Sequence, residues 1–246
     1  MTCNIDNCMN IMKSDLIQRG LSFKTVKLFL VSLSHHSYFY CSLFTLSFLI
    51  LFSSCSSDTD EYDPYHHWRS RNTEWYKQVA DSAQTAIAQA KSQYGNEWEE
   101  HCDWRMIKSL RRSPLYQGGI LQDSICVHIL NRGTGSVSPI STDTVSIQIR
   151  GSLMPTEDAN GKPMVIYFTQ TYYGSYDPAT AAVLTTAVNG FTDGVESALQ
   201  YMVIGDDWLV YVPYELFYDS EERGIIPPYS AACFRINLVK VLSQRQ

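Results

Sequence analysis

Residues 190–228 read GFTDGVESALQYMVIGDDWLVYVPYELFYDSEERGIIPP, and this stretch decides the fold. Thr192 is a good N-cap, and Asp193 suits the positive end of the helix dipole. An apolar stripe with helical spacing follows, formed by Val195, Leu199 and Met202. The pattern then predicts a strand at 208–212, so that one short helix directly precedes a strand.

On both sides of this stretch the hydrophobic pattern has a period of two, which is typical of half-buried strands. It predicts further strands at 124–130, 144–150, 164–170, 182–188 and 234–242. Short connections between the strands and a single helix set against one face indicate an antiparallel α+β domain. Gly133 and Gly135 are read as a turn and not as a phosphate-binding loop, because no helix follows them.

Several short motifs in this region resemble those of FKBP-type peptidyl-prolyl cis-trans isomerases. They are GFTDGV (190–195), MVIGD (202–206), YVPYELFY (211–218) and GIIPP (224–228), preceded by RGSL (150–153) and YFT (167–169). The resemblance covers about residues 122–243 and predicts an FKBP-like domain at 120–246. It implies a twisted antiparallel sheet wrapped around one short helix, with a shallow apolar pocket that takes the proline of an Xaa-Pro bond.

The resemblance also assigns residues to that pocket. Tyr218 is matched to the hydroxyl donor and Phe168 to an aromatic wall, and both are predicted to be catalytic. The full set of predicted substrate-binding residues is Ile149, Phe168, Thr169, Phe191, Thr192, Val195, Tyr218, Ile225, Ile226 and Phe234.

Four of these positions depart from the family pattern, among them Phe191, which replaces an aliphatic wall residue. Outside the set, Asp219 stands where the family has glycine after the loop tyrosine. Ile149 stands where the family has a tyrosine, Thr169 where it has an acidic residue, and Val195 where a tryptophan forms the pocket floor. Because a tryptophan buries far more surface than a valine, we expect the floor to be deeper, looser or refilled by neighbours such as Phe191.

The resemblance implies an isomerase that acts on proline-containing polypeptides without a cofactor or a metal. The replaced pocket residues leave a second hypothesis open, namely a catalytically degenerate FKBP-like protein that binds polypeptide or acts as a chaperone. A glycan-binding protein is a third and less specific alternative. A net charge of −6 argues against a nucleic-acid partner, since such binders are normally basic.

The first 54 residues contain a nearly uncharged stretch at 28–52 behind a basic flank. A membrane-spanning helix is one interpretation, although two histidines interrupt the apolar run. The other is a secretory signal, because Ser53, Ser54 and Cys55 resemble the lipobox of bacterial lipoproteins. That resemblance implies a signal peptide at 1–54, acylation (palmitate) of Cys55, a tether at 55–67, and a lipid-anchored place in the cell envelope, at the outer membrane. The acidic run after Cys55 resembles the export tags of some bacterial lipoproteins, which implies exposure on the cell surface.

Between tether and domain, residues 68–115 are predicted to be helical. One helix is expected at 72–95, with Asn72 as N-cap and Gly95 as C-cap, and a second at 98–110. The apolar stripe of this segment either packs on the domain that follows or forms an arm for a partner or a second copy, and the oligomeric state stays open. Cys102, Cys126 and Cys233 are expected to be ordinary thiols with at most one disulfide, since their spacing matches no metal site.

Overall fold

The computed structural model describes residues 62–112 and 119–242. These residues belong to one compact unit that begins at Tyr62. The predicted signal peptide, Cys55 and most of the predicted tether therefore lie outside the described residues. Within the described ranges, no helix is long and apolar enough to cross a membrane.

Nine strands are described in this unit, and every pairing between them is antiparallel. In chain order they are β1 (Trp104–Lys108), β2 (Ser124–Asn131), β3 (Thr144–Leu153), β4 (Thr156–Glu157), β5 (Pro163–Met164), β6 (Tyr167–Gln170), β7 (Leu184–Ala187), β8 (Asp207–Val212) and β9 (Ala232–Leu242). Seven of them form one sheet in the order β1-β2-β8-β9-β3-β6, and β7 also pairs with β3. The short strands β4 and β5 pair with each other.

The longest strand pairing of the sheet is β3–β9. Phe234 of β9 lies opposite Val210 of β8 on one side and opposite Gly151 of β3 on the other. The far edge of β3 is shared by two short strands, with β7 alongside its first half and β6 alongside its second. This arrangement places the second half of β3 and the first half of β9 beside the loops at one end of the sheet.

Four α-helices are described: α1 (Trp68–Tyr94), α2 (Trp98–His101), α3 (Ile120–Asp123) and α4 (Asp193–Leu199). The α4 helix is the one predicted from the sequence, and its stripe of Val195, Leu199 and Met202 is at most 1% exposed. A Cβ added to Gly194 would lie 2.4 Å from Cγ1 of Val212. Glycine at this position therefore lets α4 approach β8 more closely than any other residue would.

The long helix α1 packs on the opposite face of the sheet from α4. Tyr76 of α1 contacts the cluster that contains Cys126 and Tyr211, whereas Ile125 and Val127 belong to the cluster around α4. Successive residues of a strand point to opposite faces, so one sheet separates the two helices. The structure thus favours packing on the domain as the role of the α1 stripe.

The start of α1 differs from the prediction. The helix begins at Trp68, after a residue with no side-chain capping bond, and Asn72 is a fully buried residue inside it and not its N-cap. The predicted C-cap is confirmed, because Gly95 has a φ of 54° and its N–H bonds to the carbonyl of Lys91. The reason for the earlier start lies in tertiary contacts of Asn72, described below, which a local pattern does not reveal.

The predicted second helix at 98–110 is also wrong beyond its first turn. Helix α2 ends at His101, and residues 104–108 form β1, which pairs with β2. Trp104 and Met106 pack towards α1 while Ile107 packs towards the α4 side. That alternation has a period of two, as in a strand. The segment predicted to be helical, 68–115, therefore supplies a strand of the sheet, and this strand lies before residue 120, where the domain was predicted to begin.

The three described thiols are all unpaired. Burial raises the pKa of Cys126 to about 11 and that of Cys233 to about 12. Raised thiol pKa values disfavour the thiolate, which is the reactive form. These cysteines are therefore packing residues, and no disulfide forms among them.

Candidate functional site

A cavity of about 450 Å³ opens between the start of α4, the sheet and the loop that joins β8 to β9. Nine of the ten residues predicted to bind substrate line this cavity: Ile149, Phe168, Thr169, Phe191, Thr192, Val195, Tyr218, Ile226 and Phe234. Ile225 is the exception, because its side chain is 59% exposed and lies outside the lining. The structure thus brings together side chains that are up to 85 positions apart in the sequence.

Three phenylalanines form the aromatic wall of the cavity. The ring centroids of Phe168 and Phe234 are 5.5 Å apart, and the ring of Phe217 lies 5.4 Å from the first and 5.7 Å from the second. A Cβ added to Gly151 would lie 2.8 Å from both Phe168 and Phe234. The glycine of the Arg-Gly motif therefore makes room for the two rings to meet above β3.

Phe217 was not among the predicted site residues. It follows a 3-10 turn at Tyr214–Leu216, and its own backbone is irregular, with φ −112° and ψ −108°. This conformation allows Phe217 and Tyr218 to line the same cavity although they are neighbours in the chain. The ring of Phe217 therefore adds aromatic surface to the cavity beside Phe168 and Phe234. The cavity lining also includes Leu184, Gly190 and Arg223, none of which was assigned to the site.

Tyr218 brings a phenol hydroxyl to the cavity. Its ring is 4.3 Å from that of Phe217, and no hydrogen-bond partner of its hydroxyl is found within 62–112 and 119–242. The hydroxyl is therefore available to donate to a carbonyl oxygen of a bound molecule. Thr192, the predicted N-cap, flanks α4 without a side-chain capping bond, and its buried Oγ1 has no partner in the described part of the chain.

The loop after Tyr218 adopts a conformation that glycine would adopt at no cost. Asp219 stands where the family pattern has glycine, and it has a φ of 51°. Aspartate tolerates this left-handed region better than most residues do. The N–H of Asp219 donates to the carbonyl of Tyr214 at 2.8 Å, and its own carbonyl accepts from Tyr229 at 2.6 Å. The family's turn is thus kept with a different residue.

The electrostatics of the cavity are simple. Arg223 is the only charged residue among the described residues that line it. The guanidinium carbon of Arg223 lies 5.6 Å from the centre of the Tyr218 ring, and its guanidinium pairs with Glu221. The described lining residues include no carboxylate, histidine or thiol, and they can bind an apolar group and donate a hydrogen bond.

A larger cavity of about 810 Å³ lies between α1 and the β1 edge of the sheet, and it contains none of the predicted site residues. Two of its cations, Arg105 and Arg132, both donate hydrogen bonds to the backbone carbonyl of Cys102. Their guanidinium groups therefore serve the local fold. Among the described residues, no group of three His, Cys, Asp or Glu side chains could hold a metal ion.

The fold and the site together define a class of domain. It is an antiparallel α+β domain whose sheet packs around one short helix, with an aromatic cavity at the start of that helix. Residues 135–239 match the family model of FKBP-type peptidyl-prolyl cis-trans isomerases. The chain therefore carries an FKBP-type domain, as the motifs in its sequence predict.

One curated relative is the FKBP-type 22 kDa peptidyl-prolyl cis-trans isomerase of Escherichia coli (strain K12). It is 28% identical over 120 residues, which cover 46% of this chain and 48% of the relative. This chain thus matches about half the length of that protein.

Two solved structures are also similar to this chain. A peptidyl-prolyl cis-trans isomerase from Pseudomonas syringae pv. tomato has a TM-score of 0.39 at 21% identity, covering 68% of this chain and 96% of that one. The three FKBP domains of wheat FKBP73 give a TM-score of 0.36 at 24% identity, covering 48% and 46%.

Proposed function

We propose that this protein is a peptidyl-prolyl cis-trans isomerase that acts on Xaa-Pro bonds of exported polypeptides. The observation that carries the proposal is the gathering of nine predicted pocket residues around one cavity in an FKBP-type domain. The curated relative from Escherichia coli supports the reaction class, because its name gives this activity.

The proposed mechanism needs only apolar surface and one hydrogen-bond donor. Rotation about a peptide bond is slow because amide resonance creates a barrier of about 18–20 kcal/mol, and X-Pro bonds isomerise in about tens to hundreds of seconds without a catalyst. The aromatic wall of Phe168, Phe217 and Phe234 would hold the proline ring in an environment without water. The Tyr218 hydroxyl would donate to a substrate carbonyl and orient it, and binding the twisted imide better than the planar one lowers the barrier.

The direct test is a protease-coupled isomerisation assay on Xaa-Pro peptides with residues 56–246. We expect the slow cis phase to accelerate in proportion to protein concentration. A protein that has a native circular dichroism spectrum and a cooperative melt, yet no rate above background, would contradict the enzyme hypothesis.

A second candidate is a non-catalytic FKBP-like protein that holds proline-containing polypeptides as a chaperone does. Thr169 and Val195, which replace the acid and the floor residue of the family pattern, favour it. This candidate predicts saturable binding of a proline peptide, followed by fluorescence anisotropy, with no acceleration in the coupled assay. Binding together with acceleration would reject it.

We further propose that Cys55 is the acylated N-terminus of the mature protein and anchors it in the cell envelope. The support is the Ser53-Ser54-Cys55 sequence behind an apolar leader. In the native host, Cys55→Ala should abolish labelling by a palmitate analogue and release the protein from membranes. Cys102→Ala is the matched control and should leave labelling unchanged. A Cys55→Ala protein that stays in the membrane fraction would favour a membrane-spanning leader.

A further inference from the structure

The loop between β8 and β9 forms much of the cavity wall, yet it has little regular structure of its own. It covers residues 213–231 and contains one 3-10 turn and one isolated bridge between Arg223 and Ile226. Long loops are generally mobile unless other elements hold them. Tyr218 and Ile226 therefore keep their places at the cavity only if other elements hold this loop.

The first turn of α1 reaches this loop through Trp68. The indole is only 6% exposed, and its Nε1 donates to Oγ of Ser230 at 2.8 Å. The same hydroxyl donates to the carbonyl of Pro227 at 2.6 Å. A continuous chain of hydrogen bonds thus runs from the helix into the loop, one residue away from Ile226.

Asn72, one turn further along α1, makes a second connection. Its side chain is fully buried, with Nδ2 donating to the carbonyl of Trp68 and Oδ1 accepting from the N–H of Ala231, both at 2.8 Å. A buried amide is costly unless both its groups are paired. Asn72 meets this requirement only with the loop in its present place, so helix and loop are fixed together.

Packing joins the same two elements. Trp68 belongs to an apolar cluster with Leu153, Met154 and Ile226, and Phe168, Phe217 and Tyr218 pack against this cluster. The back of the cavity wall therefore rests on the first turn of α1.

Arg69 of the same turn contacts the other half of the loop. Its guanidinium donates to the hydroxyl of Tyr214 at 3.3 Å and lies 4.4 Å from the centre of the Tyr229 ring. Tyr214 begins the turn that carries Phe217 and Tyr218 to the cavity. Both ends of the loop are thus attached to one helical turn.

We infer that the first turn of α1 is a positioning element for the cavity, and that Trp68 and Asn72 are its positioning residues. This turn precedes the region that matches the family, residues 135–239. A loop held in its binding conformation loses less entropy when a ligand binds. The inference rests on the proposed function insofar as the ligand is an Xaa-Pro peptide.

The test compares Trp68→Phe and Asn72→Ala with the control Tyr76→Phe. Tyr76 lies on the same helix, is 2% exposed, and donates its hydroxyl to the carbonyl of Ser124 on β2 and not to the loop. All three changes remove one or more buried hydrogen bonds of α1, but only the first two remove a hydrogen bond that holds the loop. Trp68→Phe keeps an aromatic ring at this position, so it still tests the inference if Asn72→Ala does not fold.

The first readout is amide hydrogen exchange of Asp219 and Ile226, whose N–H groups bond within the loop and not to α1. We expect at least a tenfold faster exchange in Trp68→Phe and Asn72→Ala, and no change in Tyr76→Phe. Unchanged exchange in both loop variants would overturn the inference, whether or not the protein is an isomerase.

The second readout is kcat/KM in the coupled assay, measured at a temperature where all variants are folded. We expect a three- to tenfold loss in the two loop variants and less than a twofold loss in Tyr76→Phe. An equal loss in Tyr76→Phe would mean that general stability is responsible and would overturn the inference. If the unaltered protein is inactive, the proposed function fails, and the exchange rates together with the affinity for a proline peptide decide the inference.

Discussion

At the scale of single residues, the cavity depends on one phenol. Replacing Tyr218 with Phe keeps the ring against Phe217 and removes the donor. We expect kcat/KM to fall about fivefold, because one hydrogen bond contributes about 1 kcal/mol, while the melting temperature stays within the error of the measurement. Tyr173→Phe is the matched control, since that side chain is 82% exposed and should change neither quantity. Equal activity of Tyr218→Phe and the unaltered protein would exclude the hydroxyl from the mechanism.

Arg223 gives the cavity its only charge among the described lining residues. An acidic residue next to the substrate proline should therefore be favoured over a basic one. Exposed ion pairs contribute about 0.2–1 kcal/mol, so we expect Glu-Pro peptides to react about two- to fivefold faster than Lys-Pro peptides. Arg223→Gln should remove the difference and Arg132→Gln, outside this cavity, should keep it. A preference for Glu-Pro peptides that persists in Arg223→Gln would contradict the role of Arg223 in substrate selection.

The buried thiols make stability depend on pH in the alkaline range. Cys126 and Cys233 have an ordinary pKa of 9.0, and burial raises it to about 11 and about 12. Between pH 9 and 11 the unfolded chain loses these protons and the folded protein keeps them, so the free energy of unfolding falls as pH rises. Each thiol contributes a slope of about 1.4 kcal/mol per pH unit.

Urea unfolding from pH 7 to 10.5 measures this slope. We expect a flat region up to about pH 8.5 and then a decline, which should be smaller in the Cys126→Ala, Cys233→Ala double variant. An identical decline in the double variant would assign the effect to other groups, such as the buried tyrosines.

At the scale of elements, the contact of α4 with β8 depends on Gly194. Alanine is favoured over glycine inside a helix by about 1 kcal/mol, but a Cβ here would lie 2.4 Å from Cγ1 of Val212. Overpacking costs about 1–3 kcal/mol, so after the gain in helix propensity Gly194→Ala should lower the free energy of unfolding in urea by up to about 2 kcal/mol. Gly190→Ala is the control, because the nearest atom to its Cβ would be Oγ1 of Thr186 at 3.5 Å. Equal stability of the two variants would show that α4 moves freely on the sheet.

The strand β1 and the helix α1 belong to the fold and are not an appendage. Without them, β2 would become an exposed edge and the face around Cys126 and Tyr211 would meet water. A chain that starts at residue 120, the domain boundary predicted from the sequence, should therefore lack a cooperative thermal transition by circular dichroism. A chain that starts at residue 62 should keep it. Cooperative melting of both chains at the same temperature would contradict this expectation.

Sequence patterns identify α4 and most strands because their apolar residues recur with a regular period. They fail at β1, a strand of only five residues that follows a helical turn and contains tryptophan, arginine and methionine. Its alternation becomes clear only from the structure, in which its residues pack towards α1 on one face and towards α4 on the other. They fail at Asn72 for a related reason. An asparagine near a helix start indicates a cap, unless a distant backbone N–H, here that of Ala231, takes its side chain.

The residues that line the cavity are likewise predictable from the sequence only in part. Motif positions on strands and at the start of α4 line the cavity, since the fold fixes where they point. In the irregular loop between β8 and β9 the pattern is mixed, because Tyr218 and Ile226 line the cavity as predicted, Ile225 does not, and Phe217 lines it without having been predicted. There the direction of a side chain depends on φ and ψ values that no period encodes.

At the scale of the whole molecule, the last described strand joins two groups of strands within the sheet. The strands β1, β2 and β8 form one group and β3, β6 and β7 another, and β9 is the strand that joins them. Two of the three ring contacts among Phe168, Phe217 and Phe234 also require Phe234 on that strand.

This order has a consequence for biogenesis. A chain emerging from a ribosome or an export channel cannot close its sheet until residues 232–242 are free. Until then it is an open polypeptide with two incomplete half-sheets and exposed edges, the kind of chain that chaperones and proteases recognise. A protein proposed to act on the folding of others would therefore itself depend on such protection until its last described strand is in place.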